Sequence, residues 1–175
     1  MGIVVQPADR SHFSRLREIE RRAFETLRAV GAVSGEAKTN SDVELQAYLD
    51  DGLLYAAFDE TGEPVGYVGG FTAGDCLHVD EMDVHPDHQR RGIGRQMMTA
   101  ILQEGRARKL VFATLTTDRF APFNAPFYAT LGFEIVEGRD LSERLWRTLE
   151  LEAEKGLDPR RRIAMRARLD RSAEV

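Results

Sequence analysis

Apolar positions along the chain change period repeatedly, and the changes predict an alternation of strands and helices. Ile3-Val4-Val5 is a β-branched run ended by Pro7, which reads as a short strand. Phe13, Leu16, Ile19, Ala23, Phe24, Leu27 and Val30 then recur every three or four residues, one buried helical face, with Asp9 placed to cap it. Gly31 to Asn40 is small and polar, a loop. Ser41 with Glu44 forms a capping box that opens a second helix whose Leu45 and Leu49 face inward. Three strands follow, Leu53 to Phe58, Val65 to Phe71 and Leu77 to Val84. The first two are joined as a hairpin through Asp59-Glu60-Thr61-Gly62. Ile93, Met97, Met98, Ile101 and Leu102 mark an amphipathic helix, and Leu110 to Leu115 a strand. Phe123, Phe127 and Leu131 stripe a short helix that Gly132 stops, and Phe133 to Val136 forms another strand. Asp140 with Glu143 repeats the capping-box pattern before Leu141, Leu145 and Leu149, and Gly156 closes that helix. Finally, Ile163, Met165, Ala167 and Leu169 alternate with Arg162, Ala164, Arg166 and Arg168. This predicts a last strand with its basic face outward, as on a sheet edge where charge blocks further pairing. The series implies an α/β architecture, a mixed, twisted sheet with helices on both faces.

The length, 175 residues, fits a single domain over 1–175, with a core to about 137 and an added helix and strand over 140–170. Hydrophobic residues at 42% and charged residues at 30% are ordinary for a water-exposed globule. A net charge of −5 argues against a nucleic-acid partner held by bulk positive charge and suits a cationic small molecule or basic peptide. One cysteine, Cys76, excludes an internal disulfide framework, and His85 and His88 lack further ligand spacing, so no metal is expected. The longest apolar run, Leu53 to Phe58, is far too short to cross a membrane, and the N-terminal residues show no secretory pattern. A cytoplasmic protein without a membrane partner is expected.

The chemistry concentrates in Val79-Asp80-Glu81-Met82-Asp83-Val84-His85-Pro86-Asp87-His88-Gln89-Arg90-Arg91-Gly92-Ile93-Gly94-Arg95. A strand enters a glycine-bearing loop, and a helix begins inside it. Several backbone N–H groups then converge where the helix dipole is positive, and Arg90 and Arg91 add charge, a construction that suits a diphosphate. A Walker loop would need Gly-Lys-Ser/Thr, and a dinucleotide fingerprint a third glycine; neither is present. A pyrophosphate loop for coenzyme A and simple tight packing of the helix start both fit these residues.

Gln89-Arg90-Arg91-Gly92-Ile93-Gly94 resembles the Q/R-x-x-G-x-G/A signature of the GNAT superfamily of acyl-CoA-dependent N-acyltransferases. Glu81-Met82-Asp83-Val84-His85-Pro86 is similar to that family's approach strand, and Ala125-Pro126-Phe127-Tyr128-Ala129-Thr130-Leu131-Gly132-Phe133 to its "FYxxLGF" segment. The resemblance implies a GNAT-like fold with a splayed strand pair, acetyl-CoA as cosubstrate, and acetyl transfer to a primary amine of a small molecule or peptide. It implies that amides from Gln89 through Arg90, Arg91, Gly92, Ile93 and Gly94 to Arg95 cradle the pyrophosphate. Met82, Asp83 and Val84 would line the pantetheine arm, with Phe127 beside it. Tyr128 would protonate the leaving thiolate, and a homodimer is a common assembly in such a family.

A protonated amine is no nucleophile, so something must take its proton. The resemblance points to Glu81, with Asp83 and His78 as alternatives. Strict alternation puts His78, Asp80, Met82 and Val84 on one face and Leu77, Val79, Glu81 and Asp83 on the other, so a bulge is needed to bring both sets to one cleft. The family's usual Asn lies seven residues before the tyrosine, where this chain has Ala121; Asn124 is the candidate cofactor contact, or else orders the loop Asp118-Arg119-Phe120-Ala121-Pro122-Phe123. That loop is placed to wall the acceptor pocket. A non-catalytic acyl-CoA sensor on the same fold is the alternative reading.

Overall fold

The structure, a computed structural model, describes residues 2–170; Met1 and residues 171–175, the ends of the expected domain, lie outside the described residues. The strands are β1 (Val4–Pro7), β2 (Leu54–Phe58), β3 (Pro64–Ala73), β4 (Cys76–Val84), β5 (Phe112–Asp118), β6 (Glu134–Val136) and β7 (Arg162–Arg168). The helices are α1 (Phe13–Ala29), α2 (Asp42–Asp50), α3 (Ile93–Ala107), α4 (Ala125–Ala129) and α5 (Glu143–Glu154). They occur in the order that the hydrophobic periods predict. The strands form one 7-stranded sheet, ordered β1-β2-β3-β4-β5-β7-β6. Among the described residues, only β4 and β5 pair in parallel.

The two sheet faces are built from the two residue parities. On one, Met97, Met98, Ile101 and Leu102 of α3 bury against Val68, Leu77, Val79, Leu115 and Met165, joined by Tyr128 and Phe133. On the other, Phe13, Leu16 and Ile19 of α1 and Leu45 and Tyr48 of α2 cover Leu54, Ala56, Phe58 and Tyr67. A third cluster sets Leu145 of α5 on Val136 and Ala164. Burying side chains of this size contributes about 1.5–3 kcal/mol each, which is why the apolar periods suffice to order the elements. The Ser41–Glu44 capping box forms as expected. Asp9 closes a reciprocal box with His12, but on a 3-10 turn (Arg10–His12) that precedes α1.

Two expectations are corrected at the C-terminal end. Ser142, not Asp140, caps α5, its hydroxyl accepting from Leu145 N; Asp140 sits in a separate 3-10 turn. β7 is not an edge strand: it pairs with β5 on one side and β6 on the other, so β6 is the edge. Its basic face is partly covered: Arg162 meets α5 and Arg166 meets a ring of β5, while Arg168 stays exposed beside Asp170. Arg162 Nε lies 2.9 Å from Glu152 Oε2, and the Arg166 guanidinium covers the Phe112 ring at 4.8 Å.

Two features of β4 shape the centre of the molecule. First, its register against β3 slips between Gly69 and Gly70: Gly69 stands opposite Glu81, but Gly70 stands opposite Val79, so Asp80 is a bulge. The bulge reverses the side-chain parity. Leu77 and Val79, then Met82 and Val84, pack on the α3 side. His78 meets Phe71, Asp80 meets Tyr48, and Glu81 and Asp83 approach Glu20, all on the α1–α2 side. Second, β4 and β5 pair only at Cys76–Phe112, Leu77–Ala113 and His78–Thr114. Both strands run on, β4 along β3 to Val84 and β5 along β7 to Asp118, but apart from each other. A V opens whose apex is His78–Thr114.

Glycines make this geometry possible. A Cβ on Gly70 would lie 2.4 Å from the His78 carbonyl oxygen, and one on Gly69 would lie 2.4 Å from the Tyr48 ring. Gly70→Ala is expected to destabilise the protein by about 1–3 kcal/mol or more in urea unfolding, because backbone cannot rotate away. Gly94→Ala, whose Cβ would meet nothing nearer than 3.6 Å, is expected to leave the midpoint essentially unchanged.

Candidate active site

The loop between β4 and α3 is held from below. His85 N–H bonds Val65 O at 2.9 Å, ending the β3 pairing, and Pro86–His88 makes a 3-10 turn. Gln89 Nε2 donates to Val84 O at 2.9 Å and to Thr26 Oγ1 at 3.4 Å, pinning the loop to the strand and to α1. Its own amide is turned to Pro86 O at 3.3 Å. The free amides therefore begin one residue later. Arg90 and Gly92 both take left-handed conformations, φ 61° and 76°. Among the described residues, no acceptor takes the N–H groups of Arg90, Arg91, Gly92, Ile93, Gly94 or Arg95. They form a concave set at the start of a long helix, whose dipole adds about half a positive charge. Ile93, 1% exposed, anchors that helix start in the core. The Arg90 and Arg91 side chains are exposed. The Arg95 side chain is committed to Thr130 Oγ1 at 2.7 Å, which ties α3 to the end of α4.

This helix start stands beside the end of β4 that borders the V. Because the His85 amide bonds toward β3, alternation turns the main-chain groups of Met82 and Val84 to the opposite edge, toward β5. A Cβ at Gly94 would touch Met82 Cε at 3.6 Å and Phe127 Cζ at 3.7 Å, so β4, α3 and α4 converge here. Tyr128 is 8% exposed, stacked edge-on with Phe127 and Phe133, and its hydroxyl has no partner among the described residues. Burial, then the negative charge of Glu81 and Asp83, raises its pKa, so it stays protonated. Asn124 is the N-cap residue of α4, but its side chain makes no cap bond. Its Nδ2 donates to Thr117 Oγ1 at 2.9 Å and its carbonyl accepts from Tyr128 N at 3.0 Å, which fixes the β5–α4 link. In the same link Asp118 accepts from the amides of Phe120 and Ala121 and from Arg161, while the Phe120 and Phe123 rings remain exposed.

On the α1–α2 side of the V lies a carboxyl cluster. Oxygens of Glu20, Glu81 and Asp83 all fall within 4.8 Å of one another. Glu20 is 8% exposed and accepts from Asn40 N at 2.9 and 3.1 Å and from Tyr67 OH at 3.0 Å. Asp83 Oδ2 is buried without a partner. Burial pushes Glu20 up to about 7. Burial, then Asp83 and Glu20, raises Glu81, and burial, then Glu20, raises Asp83. These three side chains are also, among the described residues, the one group whose oxygens converge closely enough to ligate a metal ion. His78 is different in kind. It is 1% exposed, its Nδ1 lies 3.0 Å from Thr114 Oγ1, and burial, then Arg144, lowers its pKa to about 3, which makes it a feeble base.

The sequence-predicted residues thus separate. Gln89 through Arg95, Met82, Val84, Phe127 and Tyr128 gather around the V on its α3–α4 side. Glu81 and Asp83 gather on its α1 side, so Asp83 presents its side chain to Glu81 and Glu20. Glu20 escaped the sequence reading, yet it left a signal: a carboxylate at the inward face that Leu16, Ile19 and Ala23 define.

Residues 13–133 match the model of the acetyltransferase (GNAT) family. The PaiA N-acetyltransferase from Thermoplasma acidophilum, solved with coenzyme A, superposes with a TM-score of 0.73 at 15% identity, over 96% of this chain and 99% of that one. The ribosomal-protein-S18-alanine N-acetyltransferase from Escherichia coli gives 0.68 at 16% identity, over 99% and 97%. N-acetylglutamate synthase from Neisseria gonorrhoeae, solved with coenzyme A and N-acetyl-glutamate, gives 0.72 at 15% identity over 98% of this chain, which spans only 36% of that longer protein. At these identities the superpositions speak to the fold alone. The family match covers well over half of the residues, and with the loop and the V it is decisive: the chain belongs to the acetyltransferase (GNAT) family.

Proposed function

We propose that the protein transfers an acetyl group from acetyl-CoA directly to a primary amine. The observation that carries this reading is the set of unpaired amides from Arg90 to Arg95 beside the end of β4 that borders the V. The CoA pyrophosphate sits on those amides, where its charge meets the helix dipole. The pantetheine arm continues into the V and hydrogen-bonds the free edge of β4 at Met82 and Val84, as a strand would. Phe127 and Gly94 wall that arm, and Asn124 keeps α4 at the distance the arm needs.

Chemistry takes place at the acetyl end. A main-chain N–H at Met82 polarises the thioester carbonyl. The acceptor arrives as an ammonium on the acidic α1–α2 side and gives one proton to Glu81, the nearest strand carboxylate of the cluster. The freed lone pair attacks the carbonyl carbon, the N–C bond forms, and the C–S bond breaks. The sulfur leaves with the electron pair and takes a proton from Tyr128, and the acylated nitrogen sheds its second proton through water to the tyrosinate, which leaves a neutral amide and restores the phenol. The burial that raises the Tyr128 hydroxyl also disfavours a thiolate left in the same cleft, so both groups are shifted in the same direction and the proton can pass to sulfur. A base and an acid thus serve one carbonyl from the two sides of the sheet.

Support for a cationic acceptor comes from the cleft's composition: Glu20, Asp80, Glu81 and Asp83 line the α1–α2 side of the bulged strand. Support for catalysis over mere acyl-CoA sensing comes from Tyr128, whose hydroxyl is held ready and otherwise unused.

Titration calorimetry with acetyl-CoA is expected to give saturable 1:1 binding, and no heat at millimolar ligand contradicts the cofactor assignment. Gly92→Ala forces a side chain into a left-handed position at a strain of about 1–2 kcal/mol and is expected to weaken that binding by about tenfold with a smaller effect on Tm. Tyr128→Phe is expected to lower kcat by about 10²-fold, with the CoA dissociation constant within about twofold, in a thiol-release assay run over a panel of polyamines, amino acids, aminoglycosides and peptides. Tight CoA binding with no acceptor-stimulated thiol release from the unmodified protein would replace transfer by sensing.

A further inference from the structure

We propose that Glu20 of α1 is a positioning residue for the transfer, sharing protons with Glu81 and Asp83 in one cluster and holding the loop over residues 31–40 against the acceptor side of the V. The inference rests on the acetyltransferase reading and deepens it at a residue outside the family's strand, loop and tyrosine motifs.

The geometry has two halves. Glu20 is 8% exposed, yet it sits where its oxygens meet those of Glu81 and Asp83 within 4.8 Å. A carboxylate so placed needs donors. It finds them in Asn40 N, at 2.9 and 3.1 Å, and Tyr67 OH, at 3.0 Å, while Asn40 Nδ2 in turn donates to Tyr67 OH at 3.1 Å. One side chain therefore joins α1, the end of the loop, β3 and the reactive strand. Severing it frees the loop end and shifts the charge felt by Glu81.

Like charges this close do not all ionise together. Around Glu20 stand Arg21 on its own helix, Glu44 on α2, Tyr67 on β3 and Glu81 and Asp83 on β4, with Asp80 next to Glu81. The acidic groups outnumber the basic one, so the cluster holds protons into the neutral range. An arriving ammonium displaces one of them to solvent by its charge, and that leaves an ionised oxygen to take the proton of the ammonium itself. Glu20 adjusts where this happens: burial raises both Glu81 and Asp83 first, and the negative charge of Glu20 adds to it in each. Removing the charge makes both carboxyls more acidic, and the base form then appears at lower pH.

The test has two arms. In the first, acceptor kcat/KM is followed against pH. Glu20→Gln is expected to move the acid limb down by roughly half a unit to one unit, and Glu20→Asp, which keeps the charge, to leave it near its original place. A purely structural role lowers the rate by the same factor at every pH and leaves the limb unmoved in Glu20→Gln; that result overturns the proposal. The second arm needs no variant, cofactor or acceptor: side-chain carboxyl carbons are titrated by NMR in the unmodified protein. Glu20 is expected to titrate near pH 7, in steps shared with Glu81 and Asp83, and to keep doing so in millimolar Mg²⁺. Three independent single-step titrations at ordinary carboxyl values overturn the proposal, as does collapse of the steps to low pH on adding Mg²⁺, which marks a cation site. This arm decides if Glu20→Gln does not fold. Because it is independent of turnover, its failure is distinguishable from failure of the acetyltransferase reading.

Discussion

The early end of the β4–β5 pairing is the constraint on which everything else in this molecule depends. Parallel pairing lasts for three residue pairs, through His78–Thr114, and then stops while both strands continue. Each strand satisfies its other edge, β4 against β3 and β5 against β7, so the sheet does not fray. What the splay leaves is a row of main-chain donors and acceptors in the middle of a sheet, where water or an extended ligand must satisfy them. The loop that follows β4 leaves the amides of residues 90–95 without an acceptor among the described residues, and Gly94 in it stands beside Met82 and Phe127. The site is therefore chiefly backbone, and side chains serve to hold that backbone: Gln89 pulls the loop onto Val84, Arg95 ties α3 to Thr130, and Asn124 ties α4 to Thr117.

A second device divides the site. The bulge at Asp80 changes which side each residue of β4 faces. Met82 and Val84 stay with the apolar core under α3, whereas Glu81 and Asp83 turn toward α1 and α2. One strand thus presents apolar side chains to one side of the V and carboxyls to the other. Without the bulge, the residues from Glu81 onward would reverse, and Glu81 and Asp83 would be driven into the core against Met97 and Met98. Gly69 and Gly70, opposite the bulge, provide the space, one for the Tyr48 ring and the other for the His78 carbonyl.

Much of this was legible in the sequence, because burial dominates element formation and burial leaves a period. The order of strands and helices, the Ser41 cap and the helix that starts inside the glycine-bearing loop all follow from local patterns. Features fixed by distant partners were not legible. The Arg162–Arg168 alternation reads as a solvent face throughout, but α5 folds over its first part and brings Glu152 to Arg162, while Arg168 stays exposed. Asp140 and Ser142 both precede Glu143 at capping distance or near it, and only the chain path chooses Ser142. The parity of Glu81 could not be decided from β4 alone; its determinant lies on β3, in the Gly69-Gly70 pair. Glu20 lies sixty-odd residues before its partners, and only the α1 packing brings it to them.

Backbone amide NMR on addition of coenzyme A tests the central claim most directly. The account predicts large shift changes at Gly92, Ile93 and Gly94 and at the free β4 edge, Met82 and Val84, with little change at β1 or β6. Saturating coenzyme A that leaves these five amides unmoved, or that perturbs a different face of the sheet, would contradict it.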